Sequence, residues 1–231
     1  VPEFANLSRS NLRRHTLVWV RQECLAAVAA QVKDAALHGL VSAWLAADRP
    51  VVVSRQPALD AGLADTVATG LALPPALGKC RVALDLCSHD IDRCSSPLHL
   101  AEVIAHAPTA WQAALLELDR AATGINIELR VFGSFSWQSL SGLQYLTPHS
   151  DIDLLWHAHT RAQLQQGISL LSEWEQTSGV RADGEVVFGG HHAVSWREWM
   201  QSGSTGDQRV LVKRDRSAEL VHAAELLELL G

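Results

Sequence analysis

Methionine and tyrosine each occur once in the 231 residues, and lysine supplies only three (Lys33, Lys79, Lys213) of the 19 basic residues. Eight tryptophans outnumber the four phenylalanines and one tyrosine together, a skew that reads as a coding bias toward GC-rich triplets rather than as chemistry. No close cysteine pair exists. Cys24 stands alone, and Cys80, Cys87 and Cys94 recur every seven residues with His89 and His99 nearby. That raises zinc, but zinc ligand pairs usually sit two to four residues apart, so four reduced thiols is the favoured reading. Long uncharged runs are also missing. The Ala-rich stretch from Leu25 to Ala47 is broken by Lys33, Asp34 and His38 and falls short of the roughly 18 apolar residues a membrane span needs. No basic-then-apolar leader opens the sequence, which points to a cytoplasmic protein. Basic residues are in deficit, 19 against 25 acidic, for a net charge of −6. This balance argues against a protein whose main task is to grip nucleic acid.

Apolar residues make up 48%, the ordinary globular range, which excludes a disordered chain. At roughly 150 residues per domain the length allows one large domain or two small ones. Short strands are expected at His15–Val20 and Val51–Val53, around helical material from Gln22 to about Ala47. The Gly/Pro-marked stretch Gly70–Gly78 reads as a linker, dividing the chain into residues 1–77, a small α+β domain, and residues 78–231. The second segment alternates strand and helix patterns: strands at Arg81–Leu86, Glu128–Phe132, Asp151–Trp156, Val180–Phe188 and Arg209–Val212. Helices are expected at Leu98–Ala105, Thr109–Ala122 and Arg161–Glu175, the last capped by Gly179, and a final one from Ser217 to Leu230.

The informative block runs from Val131-Phe132-Gly133-Ser134 to Asp151-Ile152-Asp153-Leu154. It is a strand, a Gly-Ser turn opening a helix, and a second strand. Strand side chains alternate, so Asp151 and Asp153 share one face while Ile152 and Leu154 point into the core. Two adjacent carboxylates repel, and hard oxygen donors suit Mg²⁺ or Mn²⁺. Glycine at 133 allows a phosphate oxygen close to the backbone, and the Ser134 hydroxyl with the helix-start N–H groups would donate to it. A phosphate cradle beside a metal-binding Asp pair is the outline of a phosphoryl-transfer site.

This block resembles the nucleotidyltransferase superfamily, although the sixteen residues between Ser134 and Asp151 exceed its usual spacing. The longer connection is similar to one branch, the phosphoribosyl-dephospho-CoA transferases of bacterial malonate decarboxylase systems, the holo-acyl-carrier-protein synthases. Arg14-His15 through Trp19, Arg49-Pro50 through Arg55, Pro74-Pro75 through Arg81, Asp183-Gly184-Glu185 and Val194–Glu198 fit the same branch. The resemblance implies an α/β fold, with a nucleotidyltransferase-like mixed sheet, flanking helices and a smaller N-terminal α+β domain. It also implies transfer of phosphoribosyl-dephospho-CoA from triphosphoribosyl-dephospho-CoA to a serine of an apo acyl carrier protein, with pyrophosphate leaving. On this basis Asp151 and Asp153 would hold Mg²⁺ or Mn²⁺, and Gly133 and Ser134 the leaving phosphates. A third carboxylate would come from Asp183, preferred here to Glu185 two residues on. Arg55, Lys79 and Arg81 are further candidates for the triphosphate, and the basic run Arg209, Lys213, Arg214 and Arg216 for docking an acidic carrier. Neither nucleic acid nor membrane is an expected partner. The alternatives are another nucleotidyltransferase using a nucleoside triphosphate, and a non-catalytic binding module keeping the fold.

Overall fold

A computed structural model describes residues 12–57, 65–203 and 208–231. The chain divides into two compact units, Val1–Pro97 and Leu98–Gly231. Among the described residues no helix is long and apolar enough to cross a membrane.

In the first unit, β1 (Leu17–Val20) leads to the short helix α1 (Leu25–Ala29), α2 (Ala35–Ala46) and β2 (Val51–Val53). Then come β3 (Thr66–Ala72), β4 (Arg81–Cys87) and β5 (Ile91–Ser95). The five strands form one antiparallel sheet in the order β4-β3-β2-β1-β5. Asp34 starts α2 by accepting the Leu37 N–H at 2.9 Å, so the expected helical material from Gln22 to about Ala47 takes the form of two helices with a break before this cap. Two glutamines complete strand edges. Gln31 exchanges both bonds with the Asp85 backbone (2.7 and 2.9 Å), and Gln56 does the same for Ala68 (both 2.9 Å).

The expected boundary at 77/78 falls inside this sheet. β3 and β4 pair without interruption from Thr66↔Cys87 to Ala72↔Arg81, so Gly70 is a strand residue and Pro74–Gly78 is part of a hairpin loop. A Cβ on Gly70 would lie 2.9 Å from the Val82 carbonyl oxygen, which explains glycine within the strand. The division lies twenty residues later, at Pro97/Leu98.

The second unit continues with β6 (Leu98–His99), α3 (Leu100–Val103), α4 (Thr109–Gly124), β7 (Arg130–Phe132) and α5 (Gly133–Ser141). β8 (Ile152–Ala158), α6 (Arg161–Ser178), β9 (Ala182–Phe188), β10 (His192–Ser195) and α7 (Trp196–Glu198) follow. The unit ends with β11 (Arg209–Lys213), β12 (Ala218–His222) and α8 (Ala223–Leu227). Its seven strands run in the order β12-β11-β10-β9-β8-β7-β6, all neighbours antiparallel except β8 and β9. The parallel pair needs a crossover, which α6 provides between the Thr160 cap and left-handed Gly179. One sheet face, with Val131, Ile152, Leu154, Trp156, Val186, Phe188, Val194 and Val210, packs with α3, α4, α6 and α8 into the main core.

The expected helix from Ser217 is instead β12 followed by α8. β12 is paired residue for residue with β11, and Glu225 accepts the His222 N–H to start α8. The helical spacing of Leu220, Ala223 and Leu227 misled because Leu220 is 59% exposed on an edge strand.

Two glycines admit the close approach on either side of β8. Gly167 in α6 faces the Trp156 indole, where a Cβ would come within 2.5 Å of Cη2. Gly184 in β9 has φ +127°, and a Cβ there would lie 1.9 Å from the Leu154 carbonyl oxygen. Gly184→Ala must therefore open the parallel β8–β9 pair. The expected cost is about 2 kcal/mol or more, read as a lower denaturant midpoint at unchanged slope.

Candidate active site

The opposite face of the second sheet carries a small apolar group, Leu155, Val187 and Ala193 with Phe132 against it, and the acidic residues beside that group. Ile152 and Leu154 are fully buried in the core, whereas Asp151 and Asp153 lie half-buried on this other face. β7 ends opposite Asp153, with Phe132 paired to it. The chain then turns through Gly133, at φ +65°, straight into α5. A Cβ on Gly133 would lie 1.9 Å from Asp153 Oδ2, so the carboxylate rests on the bare Cα of this glycine. Phe132, the N-cap residue, supplies no side-chain cap to α5. Its first-turn N–H groups at Gly133 and Ser134 thus form an anion-accepting end immediately beside Asp153.

The parallel pairing distinguishes Asp183 from Glu185 by position. Asp153 stands in register with Asp183, and Leu155 with Glu185. Asp183 is half-buried, and its Oδ1 accepts the following Gly184 N–H at 2.8 Å. Glu185 shares the face but is only 4% exposed and forms an ion pair with Lys213, Nζ to Oε1 2.9 Å. The protein itself thus compensates the Glu185 charge, while Asp183 is the residue aligned with Asp153. Asp151 faces Arg181, with Nε 3.5 Å from Oδ1.

The start of β9 is clamped from the side that β10 does not cover. Glu175 accepts the Ala182 N–H at 2.7 Å, Arg197 donates to the Ala182 carbonyl at 2.5 Å, and Arg197 and Glu175 pair with each other. β10 ends at Ser195, opposite Glu185, so these side chains substitute for the missing strand next to Asp183. The neighbouring Glu198 accepts the Leu211 N–H at 2.7 Å and ties β11 to the same segment. The Val194–Glu198 motif is therefore scaffolding for β9 and β11.

Asp151, Asp153, Asp183, Gly133 and Ser134 belong to one local arrangement. Arg55, Lys79 and Arg81 belong to the other unit, Arg55 exposed after β2, Lys79 left-handed in the β3–β4 loop and Arg81 exposed at the start of β4. Of the basic run, Lys213 is engaged by Glu185 and Arg214 by Glu219, and Arg209 donates to His222 at 3.4 Å. That leaves less free positive charge for carrier docking than the sequence suggests. Sequence reading missed Arg181, Glu175 and Arg197. Arg181 could have been found by setting the two strands side by side, since it falls opposite Asp151. The clamp had no local signal, because its members lie seven and fifteen residues from Ala182.

Carboxylate oxygens are the donor type that Mg²⁺ and Mn²⁺ take, and Asp151, Asp153 and Asp183 share one sheet face near the α5 start without converging within 4.8 Å of one another. Comparison with known proteins identifies the family. Residues 13–97 match the family described as phosphoribosyl-dephospho-CoA transferase MdcG N-terminal domain, and residues 99–224 the corresponding C-terminal domain. A phosphoribosyl-dephospho-CoA transferase of Xanthomonas campestris pv. campestris (strain 8004) is 42% identical over 209 residues, 90% of this chain and 93% of that protein. The like-named protein of Xanthomonas axonopodis pv. citri (strain 306) is 39% identical over 213 residues, 92% and 95% of the two chains. That of Bradyrhizobium diazoefficiens is 35% identical over 185 residues, 80% of each. No solved structure matches the chain significantly. With both of its units matched in order and its relatives aligned over most of their length, the chain belongs to the MdcG family of phosphoribosyl-dephospho-CoA transferases.

Proposed function

We propose that this chain attaches phosphoribosyl-dephospho-CoA, taken from triphosphoribosyl-dephospho-CoA, to a serine of the malonate decarboxylase apo acyl carrier protein in the cytoplasm, releasing pyrophosphate. The observation that carries the reading is the register of Asp153 with Asp183, together with the seat of the Asp153 carboxylate on Gly133. Together these support a site in which acidic side chains lie beside an anion-accepting helix end.

In this mechanism the carrier serine Oγ attacks the α-phosphorus in line. The new P–O bond forms as the bond to the pyrophosphate oxygen breaks, and the serine proton passes to Asp183. Gly133 and Ser134 N–H groups, with the Ser134 hydroxyl, hold the β- and γ-phosphates that leave. Asp151, Asp153 and Asp183 are the residues that would hold Mg²⁺ or Mn²⁺. When bound, such ions neutralise the phosphoryl oxygens and lower the pKa of the attacking hydroxyl. Arg181 balances Asp151 beside this centre. The Glu175–Arg197 clamp keeps the β9 start, and so Asp183, at a fixed height against β8.

The direct test incubates apo carrier protein with this chain, Mg²⁺ and the triphosphorylated donor and weighs the product. A phosphoribosyl-dephospho-CoA adduct on one serine, with one pyrophosphate per adduct, is expected. An unmodified carrier in the presence of every component overturns the reading. Asp151→Asn and Asp153→Asn should each lower the transfer rate by about 10²-fold or more, the several kcal/mol of charge stabilisation lost, with unchanged circular dichroism.

Two further variants separate the remaining roles. Asp183→Asn should match the Asp153→Asn loss in rate, whereas Glu185→Gln should act mainly by lowering thermal stability, since it leaves Lys213 half-buried without its charge partner. Equal rate losses at unchanged stability would transfer the third-carboxylate role to Glu185. Gly133→Ala adds a methyl group where Asp153 now sits, so a folded protein with a much higher donor KM and lower kcat is expected from steady-state kinetics.

A further inference from the structure

We propose that the first unit holds a second, chemically different metal site, for a thiophilic divalent cation of the zinc type, formed by Cys87, His89 and Asp90. β4 ends at Cys87, and the chain makes a tight turn through Ser88–Asp90 before β5 begins at Ile91. This turn brings the Cys87 sulfur, a His89 ring nitrogen and an Asp90 carboxylate oxygen within 4.8 Å of one another. Among the described residues this is the one group of three or more His, Cys, Asp and Glu side chains that converges so closely.

The arrangement is held by the backbone and needs no ion to form it. The Cys87 N–H donates to Asp90 Oδ2 at 2.8 Å, and the Cys87 side chain accepts the Asp90 N–H in return. The Arg21 N–H donates to the Asp90 carbonyl at 2.8 Å, which ties the turn after β1 to the same point. Asp90 is 9% exposed, while the His89 side chain is 74% exposed. The site therefore has a buried anionic floor and an imidazole on its solvent side, an open path for an ion.

Dimensions suit a tetrahedral ion. Bonds of about 2.1 Å to nitrogen and oxygen and 2.3 Å to sulfur put ligand atoms about 3.4–3.6 Å apart. His89 Nε2 is already 3.3 Å from Asp90 Oδ1. Closing the sulfur onto this pair takes at most a movement of about 1 Å, within reach of a rotation about the Cys87 side chain. Sulfur with imidazole selects zinc over magnesium, so this site and the all-carboxylate site around Asp153 would sort their ions by ligand softness. One of the four cysteines, Cys87, is then a donor, in place of the four plain thiols suggested by the sequence. Cys80 and Cys94 share the seven-residue spacing but not the cluster, because β4 and β5 carry them away from the turn.

Cobalt(II) reports the ligands directly, since only a thiolate produces a sulfur-to-cobalt charge-transfer band and the Asp151–Asp153 carboxylates cannot. The reduced full-length protein, freed of metal, is titrated with cobalt(II) and then with zinc. One equivalent of cobalt should produce the charge-transfer band with tetrahedral visible absorption, and zinc should displace it. Cys87→Ser and His89→Ala should each weaken binding by about tenfold or more, while Cys80→Ser leaves it unchanged. Zinc should also raise the melting temperature of the parent protein and of Cys80→Ser, but not of Cys87→Ser. A titration without the thiolate band, or one in which Cys87→Ser binds as tightly as Cys80→Ser, overturns the proposal and leaves the transferase reading untouched.

Discussion

The Asp153 carboxylate lies against the Cα of Gly133, and the candidate site depends on that contact. A side chain at 133 would occupy the carboxylate's place, and a right-handed residue there would not turn the chain from β7 into α5. One glycine thus sets two things, the proximity of the acidic group and the direction of the helix start. The result brings opposite charge preferences together: a carboxylate that attracts cations beside N–H groups that attract anions. A metal-bound polyphosphate satisfies both at once, and few other ligands do.

The rest of the second unit maintains the height of β9 against β8. In a parallel pair the register is not set by a hairpin, so it must come from packing and from bonds at the strand ends. Gly184 allows β9 to come close to the Leu154 carbonyl, Gly167 lets α6 approach Trp156, and the Glu175–Arg197 clamp holds the first residue of β9. A slip of one residue would exchange Asp183 for Ala182 or Gly184 and send the carboxylate to the core face. Glu185 shows the other use of an acidic residue on this face. Paired with Lys213 and buried, it contributes to the joint between β9 and β11.

Where sequence reading went astray, long-range pairing was the cause. The stretch around Gly70–Gly78 has the composition of a linker, yet its first residues are strand and its prolines form a hairpin loop. Only the β3–β4 ladder distinguishes the two. Ala218–His222 carries helical spacing, yet it joins an edge strand because β11 offers it a complete set of partners. The cysteines have no close partner cysteine along the chain, and it is the tight turn at Ser88–Asp90 that brings the Cys87 sulfur near His89 and Asp90.

What the sequence determined by itself was local: the alternation that puts Asp151 and Asp153 on one face, the glycine that opens α5, and the cap at Gly179. These follow from the period of a strand and from the dihedral freedom of glycine, both properties of adjacent residues. Only the tertiary structure decided that Asp183 stands beside Asp153, that Arg181 balances Asp151, that Glu185 is matched by Lys213, and that the chain divides at Pro97. The first two of those outcomes depend on the register between strands separated by a whole crossover helix, and the others on contacts between segments distant in the chain. No local pattern encodes that register, because it is the packing of the finished sheet that selects it.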